Sequence, residues 1–231
     1  MLFLDFQTNK CECLYLALED SANRLQKRLK DILKNAPVPD GFHLATNCSP
    51  LNEGLIEELE NKLQEFPNIK LIIIDTLQFV RGSKSKKESD YAHDYKEIIT
   101  LKKFADKHEI CILAIHHLRK AKDSDVFNQI SGSVGLTGSA DTMITLSKSQ
   151  EDKSRVLLSI TGRDVEQTER LITFDKGLVK WELLSKDTEK TAEQFIYSMH
   201  PVVKTLNYLL DNNTEGQIKI TATELLVEIY K

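Results

Sequence analysis

No apolar run in this chain approaches the ~20 residues needed to span a bilayer, and the N-terminus carries no signal-peptide h-region. Those two absences predict a soluble, cytoplasmic protein with no membrane partner. Basic charge is not in excess either: 31 Lys and Arg against 35 Asp and Glu leave a net charge of −4. That balance argues against a lone monomer coated in positive surface to grip duplex DNA. Local basic loops stay open, because counterion release needs only a few clustered cations. Cysteine is scarce. Cys11, Cys13, Cys48 and Cys111 include no C-x-x-C pair, and Cys111 lies inside an apolar run, so the expectation is buried free thiols in a reducing compartment. What is present is enough for a core: 41% hydrophobic and 29% charged residues over 231 positions predict one large domain, or one domain with an appendage, rather than disorder.

From residue 11 to about 147 two kinds of segment alternate. Strand-length apolar runs cover 13–18, 42–46, 71–75 and 110–116. Between them, Leu25, Leu29, Ile32 and Leu33 mark one helical face, with Arg24, Lys27, Arg28 and Lys30 around it. Leu55, Ile56, Leu59 and Leu63 mark a second helix in 51–66, and Tyr95, Ile98, Ile99, Leu101 and Phe104 a third in 91–107. Strands that are solid Ile and Leu rather than alternating are buried on both faces, which predicts an α/β fold with a mostly parallel sheet flanked by helices. After residue 140 short strands at 142–146, 155–161, 171–174 and 178–183 follow one another, with a hairpin signal at Asp175-Lys-Gly177, so a β-meander ends the sheet. Residues 185–190 read as a linker, 195–210 as a helix broken at Pro201, and Thr221-Ala-Thr-Glu as a capping box opening a short last helix.

Several strand ends carry side chains suited to chemistry. The run from Lys70 to Asp75 and Thr76 has the form of a Walker B strand, whose carboxylate emerges where open α/β sheets bind ligands and can hold Mg²⁺ through water. Many parallel strands end in Asp, so this signal is weak alone. The run ending at Glu19-Asp-Ser21 offers Glu19 as a base for an attacking water, while Asp20 or Ser21 can simply cap the next helix. His116 and His117 close a third strand. Adjacent strand residues face opposite ways, so at most one reaches a shared site, and packing or exposure is the plain alternative for each. Arg163, after Gly162, can present a cation to a phosphate, or can pair with Asp164 or Glu166 at the surface. The loop 131–141 is rich in glycine, yet no Gly-Lys-Ser or Gly-Lys-Thr occurs anywhere in the chain, so it is not a P-loop. The polar stretch 83–90 is a surface loop or an active-site loop.

Together these pieces resemble the RecA-like P-loop ATPases (AAA ATPases) of the hexameric RepA-like plasmid and phage replicative-helicase family. The resemblance runs from about Cys13 to Leu184 and rests on Leu16-Ala-Leu-Glu-Asp-Ser21 with Arg24 and Arg28, His116-His-Leu-Arg-Lys-Ala121, Ile130-Ser-Gly-Ser-Val-Gly-Leu-Thr-Gly-Ser-Ala-Asp-Thr142, and Gly162-Arg-Asp-Val-Glu166. It implies ATP and Mg²⁺ as cofactors and single-stranded DNA and a hexameric ring as partners. By position Glu19 matches the catalytic glutamate, Asp75 the Walker B aspartate of the Mg²⁺ shell with Thr76 beside the cofactor, and His117 the sensor of the γ-phosphate. Arg163 matches the arginine finger acting on a neighbouring subunit, and Arg28 a basic residue near the nucleotide. The loop 122–138 matches the DNA-contacting channel loop. The family's P-loop strand and helix, which precede the glutamate strand, have no counterpart in residues 1–12. The expectation is therefore a RecA-like core over 1–186 lacking the P-loop strand, inactive alone, followed by a helical segment over 187–231 that resembles the start of a winged helix. The alternative is a non-catalytic module of the same fold that binds DNA or protein.

Overall fold

The computed structural model describes residues 2–34, 36–83, 89–118, 127, 130, 134–148, 154–184, 197, 200–213 and 218–230. A short hairpin of β1 (Leu2–Phe3) and β2 (Phe6–Gln7) precedes β3 (Glu12–Ala17) and α1 (Ala22–Leu33). Then come β4 (Phe42–Ala45), α2 (Leu55–Glu65), β5 (Ile69–Asp75), the single turn α3 (Leu77–Val80), α4 (Asp90–His108) and β6 (Cys111–Ile115). Strands β3 to β6 form a parallel sheet in the order β4-β3-β5-β6. Leu14, Leu16, Ile72 and Ile74 from its two central strands pack with Leu55 and Leu59 of α2 and Leu101 and Phe104 of α4 in one continuous core. The alternation of solid apolar strands with amphipathic helices has this architecture as its physical consequence.

The second sheet follows α5 (Val134–Ser139). It comprises β7 (Thr142–Lys148), β8 (Arg155–Gly162), β9 (Thr168–Asp175) and β10 (Lys180–Leu183), antiparallel and in chain order, which is the expected meander. The hairpin signal is real: Asp175 Oδ1 accepts hydrogen bonds from the backbone N–H of Gly177 (2.7 Å) and Leu178 (2.9 Å) and closes the β9–β10 turn. Val156, Leu158 and Ile172 are covered by Leu4 and Phe6 of the N-terminal hairpin and by Trp181. Arg170 fastens that hairpin by an ion pair to Asp5 at 2.8 Å and by lying over the Phe6 ring. The last helices, α6 (Pro201–Asp211) and α7 (Ala222–Ile229), lie against each other; α7 opens with the Thr221–Glu224 capping box.

Three expectations are corrected. The strand over 110–116 is not buried on both faces: β6 pairs only with β5 among the described residues, and Leu113 and Ile115 remain 40% and 37% exposed. Cys111, on that same outward face, is exposed together with Cys11, whereas Cys13 and Cys48 are half-buried; all four are free. The glycine-rich segment is helical at its end, since α5 buries Leu136 against the core and Ser139 Oγ donates to the Gly135 carbonyl at 2.7 Å. Most of the 122–138 loop, the polar stretch 84–88, the 185–190 linker and the boundary near 186 lie outside the described residues.

Candidate active site and its relatives

Strand order decides where a ligand can sit. The chain goes from β3 outward to β4, then crosses back over β3 to form β5, so the order reverses between β3 and β5. Beyond the carboxyl ends of strands at such a reversal, the following loops diverge and leave a crevice. Ala17, Asp75 and Ile115 are register partners across β3, β5 and β6, so these three strands end level. The Leu18 N–H donates to the Asp75 carbonyl at 2.7 Å and extends that pairing one step beyond the strand. Glu19, Thr76 and His117 follow directly. They are carried to one edge of the sheet by register alone.

Thr76 is 2% exposed, and its hydroxyl donates to Glu19 Oε1 at 2.8 Å. His117 Nε2 lies 3.4 Å from the same oxygen. A hydroxyl locked in the core thus aims the glutamate, while the exposed imidazole touches it from the solvent side. Asp75 is held differently. The Tyr15 hydroxyl, two residues back on the same face of β3 as Ala17, donates to Asp75 Oδ2 at 2.5 Å. Burial, and then that hydrogen bond, push the Tyr15 pKa up, so the phenol stays a proton donor throughout the neutral range. Asp75 Oδ1 and Glu19 Oε2 have no hydrogen-bond partner among the described residues. Behind Thr76 the chain is clamped: Arg81 donates from Nε to Glu97 (2.8 Å) and pairs with Asp94, and the Gly82 N–H donates to Glu97 at 2.9 Å. The two α4 carboxylates that receive these bonds are nearly buried.

Arg28 reaches toward the same edge from α1. Its Nη1 pairs with Asp20 Oδ2 at 2.8 Å, and its charge acts on Tyr15. Asp20 also takes Arg24 at 3.3 Å. Neither Asp20 nor Ser21 caps α1 through its side chain; Ser21 stands at the N-cap position without that bond, and Asp20 serves as an ion-pair acceptor for the helix. Arg163 is elsewhere. Its guanidinium lies 3.4 Å from Asp141 rather than pairing with Asp164 or Glu166, and Asp141 also binds Lys102 of α4. Its backbone N–H donates to the Asp141 carbonyl at 2.9 Å. Gly162 permits this approach, since a Cβ there would stand 2.6 Å from that carbonyl oxygen. The structure therefore brings Glu19, Asp75, Thr76 and His117 together, with Arg28 one ion pair away, and leaves Arg163 with Asp141 and Lys102.

Tyr15 and Asp141 are the residues that sequence reasoning did not single out. Tyr15 had one legible signal, a phenol within an otherwise apolar strand, whose hydroxyl needs a partner once half-buried. Asp141 stood at the end of the glycine-rich motif with no role attached.

For a divalent cation the available donors are carboxylate and hydroxyl oxygens from Asp75, Glu19 and Thr76. That is a hard-ligand set suited to Mg²⁺ and sparse enough to need phosphate oxygens and water to complete six-fold coordination. Among the described residues no three His, Cys, Asp or Glu side chains cluster as a self-sufficient metal cage. The residues fit Mg²⁺ bound together with a phosphate.

Residues 2–123 match the family model described as AAA domain. Comparison with curated protein sequences finds no similar one. Among solved structures the chain is similar to the ATPase domain of a phage replicative helicase, with a TM-score of 0.61 and 16% identity over 75% of this chain and 74% of that one. It is similar also to a DnaB-like replicative helicase described with its primase interactions (TM-score 0.59, 15% identity, 74% of this chain and 51% of that one) and to the RadB recombinase (0.51, 13%, 76% and 80%). At such identities the likeness establishes the fold. No helix among the described residues is long and apolar enough to cross a membrane. The chain belongs to the AAA-domain family, and its fold is the RecA-like one of replicative-helicase ATPase domains.

Proposed function

We propose that this chain is the part of a RecA-like replicative ATPase that follows the triphosphate-gripping element, and that the assembled machine couples ATP hydrolysis to movement along single-stranded DNA. The observation that carries the reading is the Thr76–Glu19–His117 cluster beside Asp75 at the sheet's reversal point. Glu19 is the group that orients and deprotonates the attacking water; Thr76 fixes its rotamer and leaves Oε2 for that water. Asp75 offers Oδ1 to the water shell of Mg²⁺, which when bound neutralises charge on the phosphates. His117 touches Glu19 and sits just ahead of the 122–138 loop, a position from which a change at the γ-phosphate is passed toward DNA. Arg28 adds a cation to the nucleotide side. Arg163 serves the nucleotide of a neighbouring subunit in a hexameric ring, consistent with its separate anchorage on Asp141.

The chain contains no Gly-Lys-Ser or Gly-Lys-Thr, and a phosphate nest with its lysine supplies most of the charge-assisted donors to a triphosphate. The 231-residue chain is therefore expected to show no Mg-ATPase rate above background. Joined upstream to a strand–loop–helix unit bearing G-x-x-x-x-G-K-[ST], it should hydrolyse ATP. In that form Glu19→Gln should lower turnover by roughly 10²-fold or more, the scale of losing a positioned general base, while nucleotide binding survives. Equal turnover in Glu19→Gln would sink the assignment, and robust hydrolysis by the unextended chain would sink the dependence on a separate phosphate-gripping unit.

A further inference from the structure

Away from the Glu19–Asp75 edge, α1 and the β9–β10 hairpin enclose a cleft of about 620 Å³. Arg24, Lys27, Arg28 and Asp31 line one wall; Phe174 and Lys176 line the other. The helical residues recur at intervals of three and four, so a single face of α1 is turned to the cleft. Asp20 takes up part of the two arginines' charge. Lys27 and Lys176 have no carboxylate partner among the described residues. In a chain of net charge −4, two elements some 150 residues apart in sequence thus converge with like charge across one opening. Mutual repulsion opposes that convergence, and an anion placed between the walls relieves it. The Phe174 ring packs edge-on against Trp181 at 5.2 Å and keeps 39% of its surface open.

We infer that this cleft binds a nucleotide unit, its phosphate between Lys27 and Lys176 and its base on the open part of Phe174. Flat aromatic surface beside fixed cations is the pairing by which single nucleotides and single strands are held without sequence preference, and the volume lies in the range of small-ligand sites. The inference does not depend on the proposed ATPase: none of the residues it uses for binding touches Glu19 or Asp75 in this structure.

Fluorescence anisotropy of the 231-residue chain with a labelled ADP and with a labelled oligo(dT) tests it. Binding of both, or of ADP alone, identifies a free-nucleotide site; binding of the oligonucleotide alone identifies a strand-binding site. In either case Lys27→Ala/Lys176→Ala should weaken binding by roughly tenfold and lower the salt dependence, by about 0.7 in log–log slope per phosphate contact for a single strand. Phe174→Ser should weaken it with the salt slope unchanged, and Glu19→Gln should bind as the parent does. Failure of both probes to bind overturns the proposal. Undiminished binding in the double-lysine variant does so as well, and undiminished binding in Phe174→Ser overturns the nucleotide assignment, because only general attraction for anions would remain.

Discussion

Strands β5 and β6 are neighbours in one sheet and nearly interchangeable in composition, yet they end in different environments. Ile72 and Ile74 of β5 are fully buried, while Leu113 and Ile115 of β6 are more than a third exposed. The second sheet repeats the contrast: Val156, Leu157 and Leu158 of β8 are buried, while Ile144 and Leu146 of its neighbour β7 are half exposed. In both sheets the interior strand has its complement of cover, and the strand at the open edge shows apolar side chains. Apolar composition states what a strand requires around it. Position in the sheet states what it receives. Where the two disagree, as at β6 and β7, the chain displays edges suited to pairing with a further strand.

The largest effect that tests this contrast is on stability. Ile72→Ala removes a side chain with no room to relax, between α2, α4 and the sheet, and should destabilise by about 2–5 kcal/mol. Leu113→Ala on the outward face of β6 should cost about 1 kcal/mol or less. Urea unfolding of the two variants side by side measures the difference, and equal costs would show that the outward face of β6 is covered in solution.

A smaller effect concerns the edges themselves. Backbone amides of β5 bond to strands on both sides, whereas half of the β6 amides point outward with no strand partner among the described residues. Hydrogen exchange should be slow throughout β5 and fast at alternate residues of β6. In the form extended upstream by a P-loop strand, the outward β6 amides should become protected if that strand pairs there. Unchanged exchange in an active extended protein would place the added strand elsewhere.

How much of this was legible beforehand differs by element. The helix at 22–33 has the bounds its periodicity predicts, and β5 runs only two residues longer than its apolar core, because buried two-faced strands and amphipathic helices carry strong local signals. The capping box at Thr221 and the turn at Asp175 were readable because each is made by side chains binding the adjacent backbone. What stayed hidden was relational. Nothing in 111–115 says that the strand lies at an edge, and nothing in Leu2–Gln7 says that this hairpin covers Trp181's sheet. The four-residue α3 and six-residue α5 are too short to show a period, and α5 contains two glycines that disfavour a helix in isolation. For the site, Glu19, Asp75 and His117 were candidates because each follows a strand. That Thr76 and His117 share one oxygen of Glu19, and that Tyr15 secures Asp75, follow from strand register, which one sequence does not contain.

The smallest effect belongs to the β9–β10 turn, where the antiparallel region carries a charge-dependent contact of its own. Asp175 Oδ1 accepts two backbone N–H groups, and those bonds, the one from Leu178 foremost, hold its pKa below the ordinary carboxylate value despite an opposing contribution from desolvation. Lys180 and Lys34 add to the lowering. A folded-state pKa below the unfolded one means that ionised Asp175 stabilises the turn above the unfolded value, about 4, and that this contribution is lost as pH falls through the lower folded value. Asp175→Ala should therefore be less stable than the parent near neutral pH, and the gap should close on acidification below the carboxylate range. Asp175→Asn keeps an oxygen acceptor without the charge, so it should lie between the two at neutral pH and show no acid dependence from this site. Because the carboxylate is at the surface, salt should shrink the charge-dependent part and leave the hydrogen-bonded part in place. Thermal unfolding of the three proteins across acid and neutral pH measures it; a parent–alanine gap that persists unchanged into acid would show that the turn is held by its backbone geometry rather than by the ionised side chain.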